Sequence, residues 1–285
     1  MAPRRSSLAA ARAGSDAFTG FVHFRFDTMR YDAISDDLTP SRRFSAARRG
    51  LLRWLAFMPA LVSAPARAQE ASTRALSIGI IGAGNIGGTL ARLWVKAGHR
   101  VMLASRHPQQ LRGLAQELGP LAEVGTPAEA AAFGEAVLVA IPYGNYPELG
   151  RSIGRALEGK VGLDAGNPIS SRGPQLAAEA RANGIGPTSR KYLGDPRLVR
   201  AFSNLSSGVL AREANRSPPR LGMPILGDDP DALALASRLV SDAGFDPVVI
   251  GTLERAGETA LGGSLSGVQA TAADLRARLK LDGRR

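Results

Sequence analysis

The fold is decided by residues 78–106, which read IGIIGAGNIGGTLARLWVKAGHRVMLASR. The run ALSIGII (75–81) is short, apolar and β-branched, which is typical of a buried parallel strand. A glycine-rich turn follows, and then Ile86, Leu90 and Trp94 recur at the spacing of one helical face. A glycine ends this helix, and HRVMLAS predicts a second strand. The segment therefore predicts a strand–turn–helix–strand unit.

The turn GAGNIG (82–87) carries three glycines, and each has a physical task. Gly82 allows the tight turn out of the strand, and Gly84 lets a pyrophosphate approach the backbone. Gly87 lets the helix pack close to the strand. The free N–H groups at the helix N-terminus then favour phosphate. In this context the motif predicts dinucleotide binding.

The end of the second strand indicates which dinucleotide is bound. An NAD-binding unit places an acid there to hold the ribose hydroxyls, but residues 88–116 contain no acid. Ser105 and Arg106 stand at this point, and both can donate hydrogen bonds to a 2′-phosphate. His107 and Arg112 are candidates to extend the same pocket. We therefore predict NADP as the cofactor.

The alternation of strands and helices continues to residue 251. Strands are predicted in AEVG (122–125), EAVLVAIP (135–142), GKVGLDAGNPI (159–169) and RLVRAFSNL (197–205), and residues 222–251 predict strand, helix, strand. Asp228 or Asp229 would cap that helix and Gly244 would end it. We expect residues 252–281 to be helical. The fold class predicted is α/β, a Rossmann-type, doubly wound and mostly parallel sheet with a short C-terminal helical extension.

Composition excludes several kinds of site. The chain of 285 residues has no cysteine and three histidines, which argues against disulfides, thiolate metal sites and a histidine-rich metal centre. The net charge is +11, but about half of the excess lies in residues 1–68, and no basic run with interleaved aromatics follows. We expect no nucleic-acid partner. No uncharged apolar run of about 18 residues occurs, so we expect no integral membrane segment.

The first 70 residues differ in composition from the rest. Arg48 and Arg49 precede a short apolar stretch, and Ala66-Arg67-Ala68 follows it with small residues at the cleavage positions. This order is that of a secretory signal, and the paired arginines indicate the twin-arginine class. We therefore expect a periplasmic protein, with a cytoplasmic one as the alternative. The predicted organisation is a leader over 1–70, an NADP-binding Rossmann domain over 75–256, and a C-terminal helical extension over 257–285.

The glycine segment, together with VLVAIPY, DAGNPI, LVRAFSNL and ILGDDPDA, resembles the NADPH-dependent deazaflavin (coenzyme F-420) reductase family over about residues 76–256. That family shares its nucleotide domain with the metalloreductase domains of certain membrane ferric reductases and, more remotely, with pyrroline-5-carboxylate reductases. The resemblance implies that the glycine loop binds NADP and that Ser105 and Arg106 take its 2′-phosphate. It also implies that Ile141-Pro142-Tyr143 and Asn167-Pro168 flank the ribose and the nicotinamide. The predicted cofactor-binding residues are Gly82, Ala83, Gly84, Asn85, Ile86, Gly87, Ser105, Arg106, Ile141, Pro142, Tyr143, Asn167 and Pro168.

Hydride transfer depends on alignment more than on acid–base groups, so the sequence assigns no catalytic side chain. Tyr143 is a candidate to orient a substrate or donate a proton, or else a wall packed on the cofactor. Asp164 ends a strand at the site, or caps the next turn. His99 fits a turn residue after the helix.

The function predicted is an NADPH-dependent oxidoreductase that passes hydride to a flavin-like, deazaflavin or metal-chelate acceptor. A non-enzymatic NADP-binding sensor is the alternative, because fold alone does not separate the two. A dehydrogenase of small imines or acids would need a larger helical C-terminal domain. The expected partner is a small-molecule electron acceptor, and a homodimer is a candidate assembly.

Overall fold

A computed structural model describes residues 74–194 and 196–281. The predicted leader, with Arg48, Arg49 and the Ala66–Ala68 cleavage positions, lies outside these residues. The strands are β1 (Ser77–Ile81), β2 (Arg100–Ala104), β3 (Ala122–Gly125), β4 (Ala136–Val139), β5 (Val161–Asp164), β6 (Arg197–Arg200), β7 (Gly222–Gly227) and β8 (Asp246–Gly251). Every strand predicted from the sequence is present.

Helices follow most of the strands. They are α1 (Asn85–Lys96), α2 (Arg112–Leu118), α3 (Pro127–Phe133), α4 (Tyr146–Leu157), α5 (Pro174–Asn183), α6 (Ile185–Leu193), α7 (Ser207–Glu213), α8 (Pro230–Asp242) and α9 (Ala272–Arg278). Of the two aspartates predicted to cap α8, Asp229 does so, since its side chain accepts a hydrogen bond from the Ala232 N–H at 2.9 Å. Gly244 follows this helix with φ +91°, a conformation that glycine adopts without strain.

The eight strands form one sheet in the order β3-β2-β1-β4-β5-β6-β7-β8. Strands β1 to β6 are parallel, β7 runs antiparallel to β6, and β8 is parallel to β7. The first six strands have the order of a dinucleotide-binding fold, which changes direction between β1 and β4. The predicted mostly parallel Rossmann-type sheet is confirmed.

Apolar side chains cover both faces of the sheet. Along β4, Ala136 and Leu138 join the cluster under α1 and α8, while Val137 and Val139 join the cluster under α3 and α4. All four are fully buried, so the strand is apolar along its whole length, as a strand covered on both faces must be. Trp94 of α1 is also buried and donates its indole N–H to the Leu239 carbonyl at 2.9 Å, which ties α1 to α8.

The prediction of a helical segment over residues 252–281 is wrong for most of its length. Leu253–Thr259 is a 3-10 helix, turns follow, and the α-helix is confined to Ala272–Arg278. Four glycines lie between residues 257 and 267, and two of them, Gly262 and Gly267, have positive φ. Glycine at this density breaks a helix. The segment instead packs on the outer end of the sheet, where Leu265 and Leu275 share an apolar cluster with β7 and β8.

Candidate active site

The glycine turn after β1 is held by its own packing. Gly82 has φ +97°, and a Cβ there would lie 2.5 Å from the Ala140 carbonyl oxygen. A Cβ at Gly87 would lie 2.1 Å from the Gly82 carbonyl oxygen. A Cβ at Gly84, by contrast, would meet no atom within 4 Å. Gly82 and Gly87 therefore serve the fold, whereas Gly84 leaves open space over the backbone, as the pyrophosphate of a dinucleotide requires.

The N-terminus of α1 faces this space without a side-chain cap. Gly84 is the N-cap residue, no side chain accepts from the first turn, and no acid occupies it. The first free N–H groups and the positive end of the dipole of this 12-residue helix are therefore left for an anion. The residues present fit the phosphates of a dinucleotide.

Two cavities meet at the carboxyl ends of the strands. The β2 cavity, of about 290 Å³, is lined by Ile81, Gly82, Ser105, Arg106, His107, Gln110, Pro127, Ile141, Pro142, Asn145, Glu148, Leu149 and Ser152. The β5 cavity, of about 580 Å³, is lined by Gly84, Asn85, Ile86, Ala140, Ile141, Pro142, Tyr143, Ala165, Gly166, Asn167, Ile169, Arg172, Ser206 and Ser207. Ile141 and Pro142 line both, so together the cavities make one cleft across the point where the strand order reverses.

Ten of the thirteen predicted cofactor residues line this cleft. Those lining the β2 cavity alone are Gly82, Ser105 and Arg106, those lining the β5 cavity alone are Gly84, Asn85, Ile86, Tyr143 and Asn167, and Ile141 and Pro142 line both. Ala83, Gly87 and Pro168 line neither cavity. Of the two residues expected to extend the pocket, His107 lines the β2 cavity and Arg112 does not.

Ser105 and Arg106 stand at the end of β2 with donors available. The Ser105 hydroxyl oxygen accepts a hydrogen bond from the His107 N–H at 3.0 Å, which leaves its own O–H free to donate. The Arg106 side chain is exposed, and it has no hydrogen bond or ion pair within residues 74–194 and 196–281. Glu148, from the first turn of α4, is the acid that lines the same cavity.

The position of the Tyr143 hydroxyl decides between the two interpretations of this residue, a group that orients the substrate or donates a proton and a wall packed on the cofactor. The ring lines the β5 cavity, but the residue is 2% exposed. Its hydroxyl lies 3.2 Å from the Ile185 carbonyl oxygen and 3.1 Å from the Ser189 hydroxyl, both on α6. Burial raises the pKa of the Tyr143 phenol. The geometry therefore favours the aromatic wall over the proton donor.

Asp164 and Arg200 form a buried ion pair behind the β5 cavity. They are register partners on β5 and β6, both side chains are fully buried, and Arg200 Nη1 lies 3.1 Å from Asp164 Oδ2. Asp164 also accepts from the Tyr146 hydroxyl at 2.5 Å, the Ser189 hydroxyl at 2.8 Å and the Gly166 N–H at 2.8 Å. The bond to Gly166 is the turn cap foreseen for Asp164. Such a pair is held by its extra hydrogen bonds as much as by charge.

Arg200 connects this pair to the cavity wall, and it was missed in the sequence. Its guanidinium donates to the Gly166 carbonyl at 2.7 Å, to Asn167 Oδ1 at 2.9 Å and to the Thr259 hydroxyl at 3.1 Å. The arginine inside the apolar run LVRAF (198–202) is the signal that would have found it, because a charge in a buried strand needs a partner. Thr259 belongs to the C-terminal segment, which thus closes the back of the site.

His99 has the structural role that the sequence indicated. It follows α1, is 2% exposed, and accepts the Leu76 N–H on Nδ1 at 3.1 Å. Its Nε2 lies 2.9 Å from Asp242 Oδ2, so the second ring nitrogen carries the proton. His99 lines neither cavity.

A third cavity, of about 620 Å³, shares no lining residue with the cleft. It is lined by Pro187, Arg190, Lys191, Gly194, Asp228, Thr252, Leu253 and Glu254. Arg190 and Asp228 form an ion pair there. Although it is the largest of the three, no predicted cofactor residue lines it, so we place the candidate active site at the cleft.

Membrane-spanning helices and metal-binding clusters are both absent from the described part of the chain. None of its helices combines the length and the apolar character that crossing a membrane requires. Its His, Asp and Glu side chains form no group of three or more that could hold a metal ion.

Comparisons with known proteins agree with this geometry. Residues 77–168 match the family model described as NADP oxidoreductase coenzyme F420-dependent. The metalloreductase STEAP3 of Rattus norvegicus is 29% identical over 205 residues, which cover 70% of this chain and 38% of that protein. This chain thus spans about two fifths of the length of that curated relative.

Solved structures show the same fold. A hypothetical protein from Sinorhizobium meliloti superposes with TM-score 0.61 at 22% identity, over 72% of this chain and 98% of that one. A protein designated an F420-dependent NADP-reductase, from Arthrobacter sp. FB24, superposes with TM-score 0.54 at 21% identity, over 64% and 87%.

Residues 74–251 thus form a Rossmann-type nucleotide domain, and residues 77–168 of it match the model of an NADP oxidoreductase family. The resemblance to the coenzyme F-420 reductases is confirmed, with residues 77–168 as the part that matches the family model. NADP, the cofactor predicted from the sequence, is confirmed by the same match.

Proposed function

We propose that this protein is an NADPH-dependent reductase that transfers hydride to a flavin-like, deazaflavin or metal-chelate acceptor. The observation that carries the proposal is the cleft itself. It runs from Ser105 and Arg106, past the open backbone at Gly84, to the larger cavity at Asn167. The family description names a deazaflavin coenzyme and the rat relative is a metalloreductase, which supports these acceptor classes.

The chain's own residues would hold and shield the cofactor. The free N–H groups of α1 would bind the pyrophosphate, and Ser105 and Arg106 the 2′-phosphate. Ile141, Pro142 and the Tyr143 ring would exclude water from the β5 cavity. When bound, NADPH would supply a hydride from nicotinamide C4. The protein's contribution to rate is alignment of donor and acceptor, which needs no titrating side chain in the cavity.

A turnover assay tests this proposal. Purified protein is mixed with NADPH and, in separate reactions, a flavin, a deazaflavin or a ferric chelate, and the loss of NADPH absorbance is followed. We expect acceptor-dependent oxidation with at least one of them. As a control, Arg106→Asp should lose rate at low NADPH and regain it at saturating NADPH. Tight NADPH binding without oxidation by any acceptor would contradict the reductase and favour the non-enzymatic sensor.

We also propose that the chain is exported in the folded state. The support is the sequence order of Arg48-Arg49, a short apolar stretch and Ala66–Ala68. NADP is made in the cytosol, so a protein that folds around it there needs a pathway that carries folded cargo. N-terminal sequencing of periplasmic protein should show a start at Gln69. The double variant Arg48→Lys with Arg49→Lys should block export, so that no cleaved protein reaches the periplasm. An uncleaved leader on cytosolic protein would contradict export.

The homodimer stays a prediction. Light scattering of the purified protein measures its mass directly, and a mass of one chain would exclude the dimer.

A further inference from the structure

The β5 cavity has one charged side chain among the residues that the structure describes, Arg172. The rest of its lining is apolar, glycine, serine or amide. No acid lines this cavity, in contrast to the β2 cavity, where Glu148 stands. An isolated guanidinium in an otherwise neutral cavity favours a negatively charged ligand.

The guanidinium of Arg172 is not engaged by the protein. Within residues 74–194 and 196–281, its side chain has no hydrogen bond or ion pair, and it is exposed at the cavity rim. Its five N–H donors are therefore free for a ligand. The hydroxyl of Ser207, on the same cavity, makes no hydrogen bond within the described part of the chain and adds a further donor.

The backbone that carries Arg172 is held in place. Ser170–Arg172 is a 3-10 turn in which the Arg172 N–H donates to the Ile169 carbonyl at 2.9 Å. A Cβ at Gly144 would lie 2.4 Å from the Arg172 carbonyl oxygen, and Gly173 has φ +138°. These two glycines let the turn pack backbone to backbone against the segment after β4. The cation is thus presented from a fixed point of the rim.

Arg172 is carried by a different strand end from the residues predicted to bind the cofactor's anions, although Gly84 lines the same cavity. The predicted pyrophosphate site follows β1 and the predicted 2′-phosphate site follows β2, whereas Arg172 follows β5. In the sheet, β4 lies between β1 and β5, and the cavity continues from β5 to Ser206 and Ser207 after β6. Arg172 therefore stands on the β5 side of the cleft and lines no part of the β2 cavity, where the adenosine side of the cofactor is predicted to bind.

From this we infer that Arg172 binds an anionic group of the electron acceptor, so that the acceptor is a molecule carrying phosphate or carboxylate outside its redox centre. This inference rests on the proposed reductase function. It narrows the three acceptor classes to their negatively charged members, such as a flavin nucleotide as opposed to riboflavin, or an anionic ferric chelate as opposed to a neutral one. Arg172 is then the specificity-determining residue of the acceptor site.

Binding of matched flavins tests the inference without turnover. Full-length protein saturated with NADP⁺ is titrated with FMN and with riboflavin, which differ by one phosphate, and flavin fluorescence reports binding. We expect FMN to bind at least about fivefold more tightly, which is in the range of one exposed charge contact. Arg172→Gln should abolish this preference, Arg172→Lys should keep part of it, and Arg276→Gln on α9 should leave it unchanged. The preference should also shrink with added salt.

Turnover with ferric EDTA, which is anionic, and ferric tris(maltolate), which is neutral, separates chelates from flavins as the source of the charge. A preference for the anionic member of either pair that Arg172→Gln removes supports the inference. The inference fails if neither pair shows a preference, or if the variant weakens both members of a pair equally. The inference also fails if Arg172→Gln weakens the binding of NADPH as much as the binding of FMN. Reduction of acceptors regardless of charge would leave the proposed reductase standing, whereas no reduction of any acceptor would overturn that function.

Discussion

Arg200 Nη2 donates a hydrogen bond to Asn167 Oδ1 over 2.9 Å, and so a buried charge on β6 fixes an amide in the cavity wall. Asn167 has little freedom left, because its Oδ1 also accepts the Leu261 N–H at 3.2 Å and its Nδ2 donates to the Ser203 carbonyl at 2.8 Å. The wall is therefore preorganised by the core. This rigidity requires a buried ion pair, whose two charges lose their hydration when the protein folds.

We expect Arg200→Met to destabilise the fold by about 3–5 kcal/mol, because it leaves the Asp164 carboxylate buried without its cation. Urea denaturation measures this change in the free energy of unfolding. The double variant Asp164→Asn with Arg200→Met should be less destabilised than the sum of the two single variants. A loss below about 1 kcal/mol for Arg200→Met would show that the pair does not hold the core.

Gly84→Ala and Gly87→Ala form a matched pair, since both add one methyl group to the same turn. Gly84→Ala should leave the melting temperature nearly unchanged, because its Cβ would enter open space, but it should weaken NADPH binding about tenfold or more. Gly87→Ala should destabilise the fold by about 1–3 kcal/mol, because its Cβ would overlap the Gly82 carbonyl. Calorimetry and thermal unfolding measure both effects. Equal NADPH affinity in wild type and Gly84→Ala would place the cofactor elsewhere.

Arg106→Asp should weaken the binding of NADPH far more than the binding of NADH. One lost charge-assisted contact costs about 1.5–3 kcal/mol, or roughly 10- to 150-fold in affinity. Fluorescence titration with each cofactor gives the two dissociation constants, and Arg112→Asp, which changes a cation outside the cavity, serves as the control. If Arg106→Asp weakens the binding of both cofactors equally, the residue has a structural role.

We expect Tyr143 and Tyr146 to make the protein less stable at alkaline pH. Burial raises the pKa of both phenols above 10, and for Tyr146 the adjacent Asp164 charge adds to the effect. Above about pH 10 the unfolded chain loses these protons and the folded chain keeps them, so stability falls with rising pH, by up to about 1.4 kcal/mol per unit for each group. Below about pH 10 both phenols are protonated in the folded and the unfolded chain, so their contribution to stability is fully present.

Urea unfolding at several pH values above 9 to 10 follows this loss. Tyr146→Phe should show a shallower fall than wild type, and ultraviolet titration of the native protein should show two phenols that ionise only on unfolding. Identical pH dependence in wild type and Tyr146→Phe would refute the assignment.

Most of the sheet could be predicted from the sequence because its signals are local. The strands β1 and β4 are continuous apolar runs, and the glycines at 82, 84 and 87 stand directly between a strand and a helix. The cofactor residues predicted after β4 and β5 were implied by the family resemblance, and they stand at the carboxyl edge of the sheet, where ligands bind. These features depend on a few neighbouring residues.

What the sequence missed depends on contacts between distant segments. Arg200 meets Asp164 only because β5 and β6 pair in one register, and Thr259 reaches Arg200 from the C-terminal segment. The helical prediction for 252–281 failed because the glycines from 257 to 267 interrupt the chain's helical propensity, so that the α-helix forms only beyond them. The Tyr143 hydroxyl turns to α6, a contact that no local pattern records.

Isothermal titration of the wild-type protein with NADPH and with NADH tests the central claim most directly. If Ser105 and Arg106 bind the 2′-phosphate while the open backbone at Gly84 receives the pyrophosphate, NADPH will bind at least about tenfold more tightly than NADH, and added salt will narrow the gap. Equal affinities, or no binding of NADPH, would contradict it.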